Sequence, residues 1–86
     1  MNITQPTWQE VREDNLPPLG EPVWLWDGEI IWTGGRVPRL RKNWSWASCY
    51  GRVWHDGQNW DAELEEDDDY KPTHWMRMPI LPNENH

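Results

Sequence analysis

Pro22-Val23-Trp24-Leu25-Trp26-Asp27-Gly28-Glu29-Ile30-Ile31-Trp32-Thr33 is the stretch that decides the fold. Val23 and Leu25 alternate with Trp24 and Trp26, and a period of two places each pair on its own face of a strand. Asp27-Gly28 is a hairpin turn signal, because glycine accepts the positive φ that such turns need, and residues 29–33 supply the returning strand. Both faces of the first strand are apolar, so it is expected to be central in a sheet or to meet a partner on one side.

Downstream, Gly34-Gly35 is expected to close the second strand, and residues 36–43 read as a basic connection interrupted by Pro38. Residues 44–54 read as one or two strands: Trp44, Trp46, Ser48, Tyr50, Arg52 and Trp54 share one parity, and smaller residues share the other. His55-Asp56-Gly57-Gln58-Asn59 is a second turn-rich link that joins Arg52-Val53-Trp54 to Asn59-Trp60-Asp61 as another hairpin. Residues 62–70 are so densely charged that like charges would repel on every face of a helix, and a solvated loop is expected there. Residues 73–78 form a last strand, ended by Pro79 and Pro82.

Upstream, Trp8-Gln9-Glu10-Val11 is a short first element. Asn15-Leu16-Pro17-Pro18-Leu19-Gly20 is a turn or an extended crossing, since each proline fixes φ and pushes its predecessor out of the α region. The expectation is a mainly β fold, a small antiparallel curled sheet or barrel-like roll of four to five short strands. The alternative is a compact α+β arrangement with a short helix near residues 8–14 or 61–69.

At 86 residues the chain has room for one domain, residues 1–86, with 1–7 and 83–86 expected to be flexible. Its single cysteine, Cys49, excludes an internal disulfide, and His55, His74 and His86 are too scattered for a zinc site of ordinary spacing. Nine tryptophans, two tyrosines and no phenylalanine make the indole the main core material. The polar start of the chain lacks the basic-then-apolar layout of an export signal, and no stretch approaches the ~20 apolar residues of a membrane span. A cytoplasmic protein without membrane contact is expected, and an unpaired cysteine fits a reducing compartment.

The net charge of −7 opposes general affinity for nucleic acids or anionic membranes, but the charge is unevenly placed. Six of the seven residues 63–69 are acidic: Glu63, Glu65, Glu66, Asp67, Asp68 and Asp69. They lack the spaced pattern and central glycine of a calcium loop, so no metal is assigned to them. They read as a solubilising run or, functionally, as an acidic loop that imitates phosphate spacing and engages a basic groove on a partner. Between residues 30 and 55 there is no acidic residue, and Arg36, Arg39, Arg41 and Lys42 precede Trp44 and Trp46. Cations beside rings are the ingredients of single-strand nucleic-acid binding, although the plainer role of these cations is to pair with the acidic run or shield an edge strand.

For catalysis the chain offers only His55 with Asp56, and His74 with a distant carboxylate. Cys49 lies in a stripe of small residues and reads as packing. No phosphate loop, nucleophile elbow or metal-binding helix motif occurs, so neither an enzyme nor a cofactor is expected.

Thr73-His74-Trp75-Met76-Arg77-Met78-Pro79-Ile80-Leu81-Pro82 resembles the ending of a family of short phage and prophage proteins of unknown function, which close on a T-H-W-M-P-L-P-like motif. That family also opens on a Trp, a Leu-Pro turn and an apolar strand, an order matched by Trp8, Leu16-Pro17 and Val23-Trp24-Leu25. Arg77 stands where the family has Pro, and Leu81 replaces the first proline of the closing pair. The resemblance implies a phage accessory protein and carries no active site. It marks His74 and Trp75, which are expected to lock the last strand against Trp8 and the Leu-Pro turn.

The functional expectation is therefore a phage-encoded small acidic protein-binding protein, an inhibitor of a host defence nuclease or CRISPR complex. The alternatives are a single-stranded nucleic-acid-binding accessory protein and a structural, self-associating phage component.

Overall fold

In the computed structural model, which describes residues 5–41, 43–69 and 71–81, the chain is all β. Its strands in chain order are β1 (Gln9–Glu10), β2 (Val23–Trp26), β3 (Ile31–Pro38), β4 (Trp44–Ser48), β5 (Val53–His55), β6 (Trp60–Ala62), β7 (Glu65–Glu66) and β8 (His74–Arg77). Six of them form one open antiparallel sheet in the order β1-β8-β2-β3-β4-β7, and β5 and β6 form a separate two-stranded sheet. The antiparallel β class expected from the sequence is the one observed, and the sheet does not close into a barrel. The short strands β1 and β7, two residues each, lie at its two edges. The helical alternatives fail among the described residues: 8–14 holds β1 and a turn closed by Asn15 N–H on the Arg12 carbonyl, and 61–69 holds the end of β6 and all of β7.

β2 is central, as its two apolar faces require. It pairs with β3 on one side and with β8, the last strand of the chain, on the other. Leu25 lies opposite both Trp32 and Trp75, and Val23 lies opposite Gly34. Val23 and Leu25 are 0% exposed and form the core with Trp46 and Trp75, against which Val11, Leu16, Trp32 and Trp44 pack. Full burial of each aliphatic side chain contributes roughly 1.5–3 kcal/mol. The Trp75 indole N–H donates to the Asn15 carbonyl at 3.1 Å, so this ring is buried without stranding its polar atom. That bond ties β8 to the residue that opens the Leu16-Pro17 turn. On the opposite face His74 sits 5.2 Å from Trp26, whose ring is 6.2 Å from Trp8, all tilted to one another.

Two local expectations are corrected. Trp26 lies opposite Ile31, so the hairpin loop is Asp27-Gly28-Glu29-Ile30 rather than Asp27-Gly28 alone. The Asp27 carboxylate accepts the N–H groups of Glu29 and Ile30, each at 2.9 Å, and Gly28 has φ 104°. The same device recurs between β5 and β6, where Asp56 accepts from Gln58 and Asn59 and Gly57 has φ 101°. Second, Gly34-Gly35 does not end β3, which runs on through Arg36, Val37 and Pro38. Gly34 is there for space: a Cβ on it would fall inside contact distance of the Ala47 carbonyl oxygen and 2.9 Å from Leu25 Cδ1.

Of the expected flexible ends, residues 1–4 and 83–86 lie outside the described residues. Gln5 exchanges hydrogen bonds with the backbone of Ile80.

Candidate functional site

The acidic run is not wholly the solvated loop expected from the sequence, because two of its residues enter the sheet. Glu65 and Glu66 pair with Ser48 and Ala47 as the edge strand β7, and Asp67 N–H extends the pairing to the Trp46 carbonyl at 2.9 Å. Leu64, the one apolar residue in the run, is half-buried, with its Cδ1 facing Gly35. Neighbouring elements supply partners for three of the carboxylates. Arg39 bridges Glu66 at 2.8 Å and Asp68 at 3.3 Å. The Ser45 hydroxyl donates to Asp68 at 2.6 Å. Asp67 accepts from Tyr50 at 2.6 Å and from Ser48 at 3.2 Å. The Tyr50 hydroxyl, above all, holds the Asp67 carboxyl below the ordinary carboxylate range, with further help from the Asp69 N–H and Ser48.

The partners, and not exposure alone, divide the six acidic residues into two sets, since Glu66 is braced by Arg39 while itself exposed. Glu66, Asp67 and Asp68 are committed to the fold, and Glu63, Glu65 and Asp69 are exposed. Ser48 and Tyr50, which hold Asp67, also line an apolar notch of about 140 Å³ with Ile30, Trp32 and Cys49. Ile30, which lines it, is exposed, and Tyr50 is 74% exposed. An acidic edge therefore runs into an aromatic and aliphatic patch, two features distant in sequence that the β3–β4–β7 pairing joins. Sequence reading singled out the carboxylates and missed Leu64, Ser45, Ser48 and Tyr50. The signal for Leu64 was its isolation among six acids, whereas nothing local marks the serines.

The basic segment is dispersed by the same fold. Arg36 donates to the Pro17 carbonyl at 2.6 Å and stacks over Trp44 at 4.8 Å, while burial pushes its guanidinium down from its ordinary value. Arg39 serves the acidic edge, Arg41 is exposed, and Lys42 lies outside the described residues. Trp44 and Trp46 meet edge to face at 5.0 Å, and Trp46 is buried. Arg36, Arg39 and Trp46 thus act inside the fold.

The acid–base candidates are likewise engaged. His55 Nδ1 accepts the Gly57 N–H at 3.1 Å, while the neighbouring Asp56 carboxylate turns to the loop amides, which hold it below its ordinary range. His74 Nδ1 lies 2.9 Å from the Thr73 hydroxyl. Among the described residues no three His, Cys, Asp or Glu side chains are placed to hold a metal ion. Among the described residues no helix is long and apolar enough to cross a membrane.

These features define a class: a small open antiparallel sheet with an acidic edge strand, an adjoining apolar notch and an appended hairpin. Residues 7–83 match DUF551, described as a protein of unknown function, and the chain belongs to that family. No curated protein and no solved structure matches it.

Proposed function

We propose that this DUF551 chain is a non-catalytic protein-binding module whose acidic edge and adjoining notch engage a basic surface of a partner. The observation that carries this reading is the juxtaposition at β7. Outward carboxylates of Glu63, Glu65 and Asp69 stand on a braced edge, next to an apolar notch rimmed by the exposed Ile30 and Tyr50. Carboxylates steer a basic partner and fix its register, and a concave apolar patch with an aromatic at its rim supplies the desolvated contact that holds it. Bracing favours affinity because Asp67 and Asp68 are ordered before the partner arrives.

In its most specific form, the proposal follows the resemblance to short phage proteins. The module is a phage accessory factor in the host cytoplasm, and its partner is a host protein with a basic nucleic-acid groove, such as a defence nuclease or CRISPR complex. The test is affinity capture from host lysate with the wild-type chain and with the Glu63→Ser, Glu65→Ser, Asp69→Ser triple variant, which leaves every brace in place. A stoichiometric protein captured by the wild type and lost with the variant is the expected result. Equal capture by both removes the acidic edge from the account.

A further inference from the structure

A second cavity lies away from the acidic edge, between the β5–β6 hairpin and the segment that follows β8. It measures about 340 Å³ and is lined by Glu21, His55, Gln58, Asn59, Trp60 and Arg77, with Met78 adding apolar wall. That volume is at the lower end of the range for small-molecule sites, roughly 300–1,000 Å³.

Its lining has a definite chemical character. The Trp60 and His55 rings stand perpendicular, 5.2 Å apart, and give the cavity an aromatic wall. His55 accepts the Gly57 N–H through Nδ1, so its neutral ring carries its proton on Nε2. The Gln58 and Asn59 side-chain amides make no hydrogen bond among the described residues. Glu21 and Arg77 form a long ion pair at 3.8 Å, beyond hydrogen-bond distance, and neither has another side-chain partner among the described residues. One acceptor-only carboxylate and one donor-only guanidinium therefore stand side by side with open capacity, flanked by two amides that both donate and accept.

We propose that this cavity binds a neutral, hydroxyl-bearing ring, a sugar unit taken either as a free saccharide or as the ribose of a nucleoside. Adjacent hydroxyls answer the lining group by group: one donates to Glu21 while its neighbour accepts from Arg77, and the amides of Gln58 and Asn59 meet the remaining oxygens. The C–H face of a sugar, or a base attached to it, packs on the indole. A wholly apolar ligand would bury four polar heads without partners. An anion would meet Glu21 in a chain of net charge −7, and a cation would meet Arg77.

The experiment is a titration of the full chain, followed by nuclear magnetic resonance of the Trp60 indole N–H and the Gln58 and Asn59 side-chain amides. The probes are glucose, maltose, N-acetylglucosamine, adenosine and adenosine monophosphate. Saturable shifts in these signals at millimolar concentration are expected from at least one neutral probe. Response to the saccharides alone identifies a free sugar, and response to adenosine alone identifies a nucleoside. Asn59→Ala and Glu21→Ala should each raise the dissociation constant about tenfold, the equivalent of one hydrogen bond, while the remaining spectrum stays dispersed as a control for folding. Silence from every neutral probe, shifts centred on other residues, tighter binding of the monophosphate than of adenosine, or indifference to both substitutions would overturn the proposal.

Discussion

The Tyr50 hydroxyl donates a 2.6 Å hydrogen bond to the Asp67 carboxylate, tying the segment after β4 to the end of the acidic edge. Because this bond is stronger to the ionised acceptor than to the protonated one, Asp67 titrates below the ordinary carboxylate value of about 3.9. A depressed carboxyl contributes stability that is present above the unfolded-state value and is lost as pH falls through the lower folded-state value. Tyr50→Phe brings the Asp67 titration back up toward the ordinary value, so the bracing fails at a higher pH in the acid limb. Acid unfolding followed by tryptophan fluorescence should show the midpoint moved upward in pH, and an unmoved midpoint would show that Asp67 is not held by this bond.

The paired loops allow a second test. Asp27 and Asp56 are each depressed by accepted backbone N–H bonds, chiefly from Ile30 and from Asn59 respectively. Asp27→Ala and Asp56→Ala should both destabilise at neutral pH, and the deficit should shrink in acid below the folded-state values, where the wild type has lost the charge-dependent part of the same bonds. Asp27→Ala closes on the central strand β2 and should lower the global urea midpoint. Asp56→Ala should act mainly on amide exchange within β5 and β6. A deficit that persists undiminished in strong acid would locate the effect outside the carboxylates.

Gly34→Ala places a methyl group between the Ala47 carbonyl and Cδ1 of the fully buried Leu25, and the Ala47 backbone cannot step aside as a side-chain end can. We expect a loss of about 3 kcal/mol, the upper part of the range for overpacking. Gly51→Ala meets nothing within 4 Å and should stay within about 0.5 kcal/mol of the wild type. Denaturant melts of the two variants decide the matter, and equal stabilities would mean that β3 and β4 do not approach as closely as described.

Leu25→Ala empties the centre of the core, where the side chain is fully buried opposite Trp32 and Trp75. The expected cost is about 2–5 kcal/mol. For a domain this small that is a large share of total stability, so a reduced yield of folded protein at 37 °C is also expected. A cost under 1 kcal/mol in equilibrium unfolding would place the core elsewhere.

Much of this architecture was legible from local pattern. The alternation Val23-Trp24-Leu25-Trp26 specifies a central strand, and Asp-Gly at 27–28 and 56–57 specifies both hairpins. What local pattern cannot convey is pairing between segments distant in sequence. β8 lies beside β2 because Trp75 completes the core around Leu25, a relation across 50 residues. Gly34-Gly35 carries the same letters whether it breaks a strand or lets two strands approach, and only the Ala47 backbone decides which. The acidic run was legible as a group. Its division into braced Glu66, Asp67, Asp68 and outward Glu63, Glu65, Asp69 was not, because Arg39, Ser45, Ser48 and Tyr50 make it.

The most direct test of the acidic edge as a docking surface is the association rate of the purified chain with its captured partner, measured against ionic strength for wild type and for the Glu63→Ser, Glu65→Ser, Asp69→Ser variant. Steering by these carboxylates predicts a wild-type rate that falls steeply with salt, and a variant rate that is lower at low salt and flatter, with dissociation little changed. Identical rates and identical salt slopes for the two proteins would contradict it.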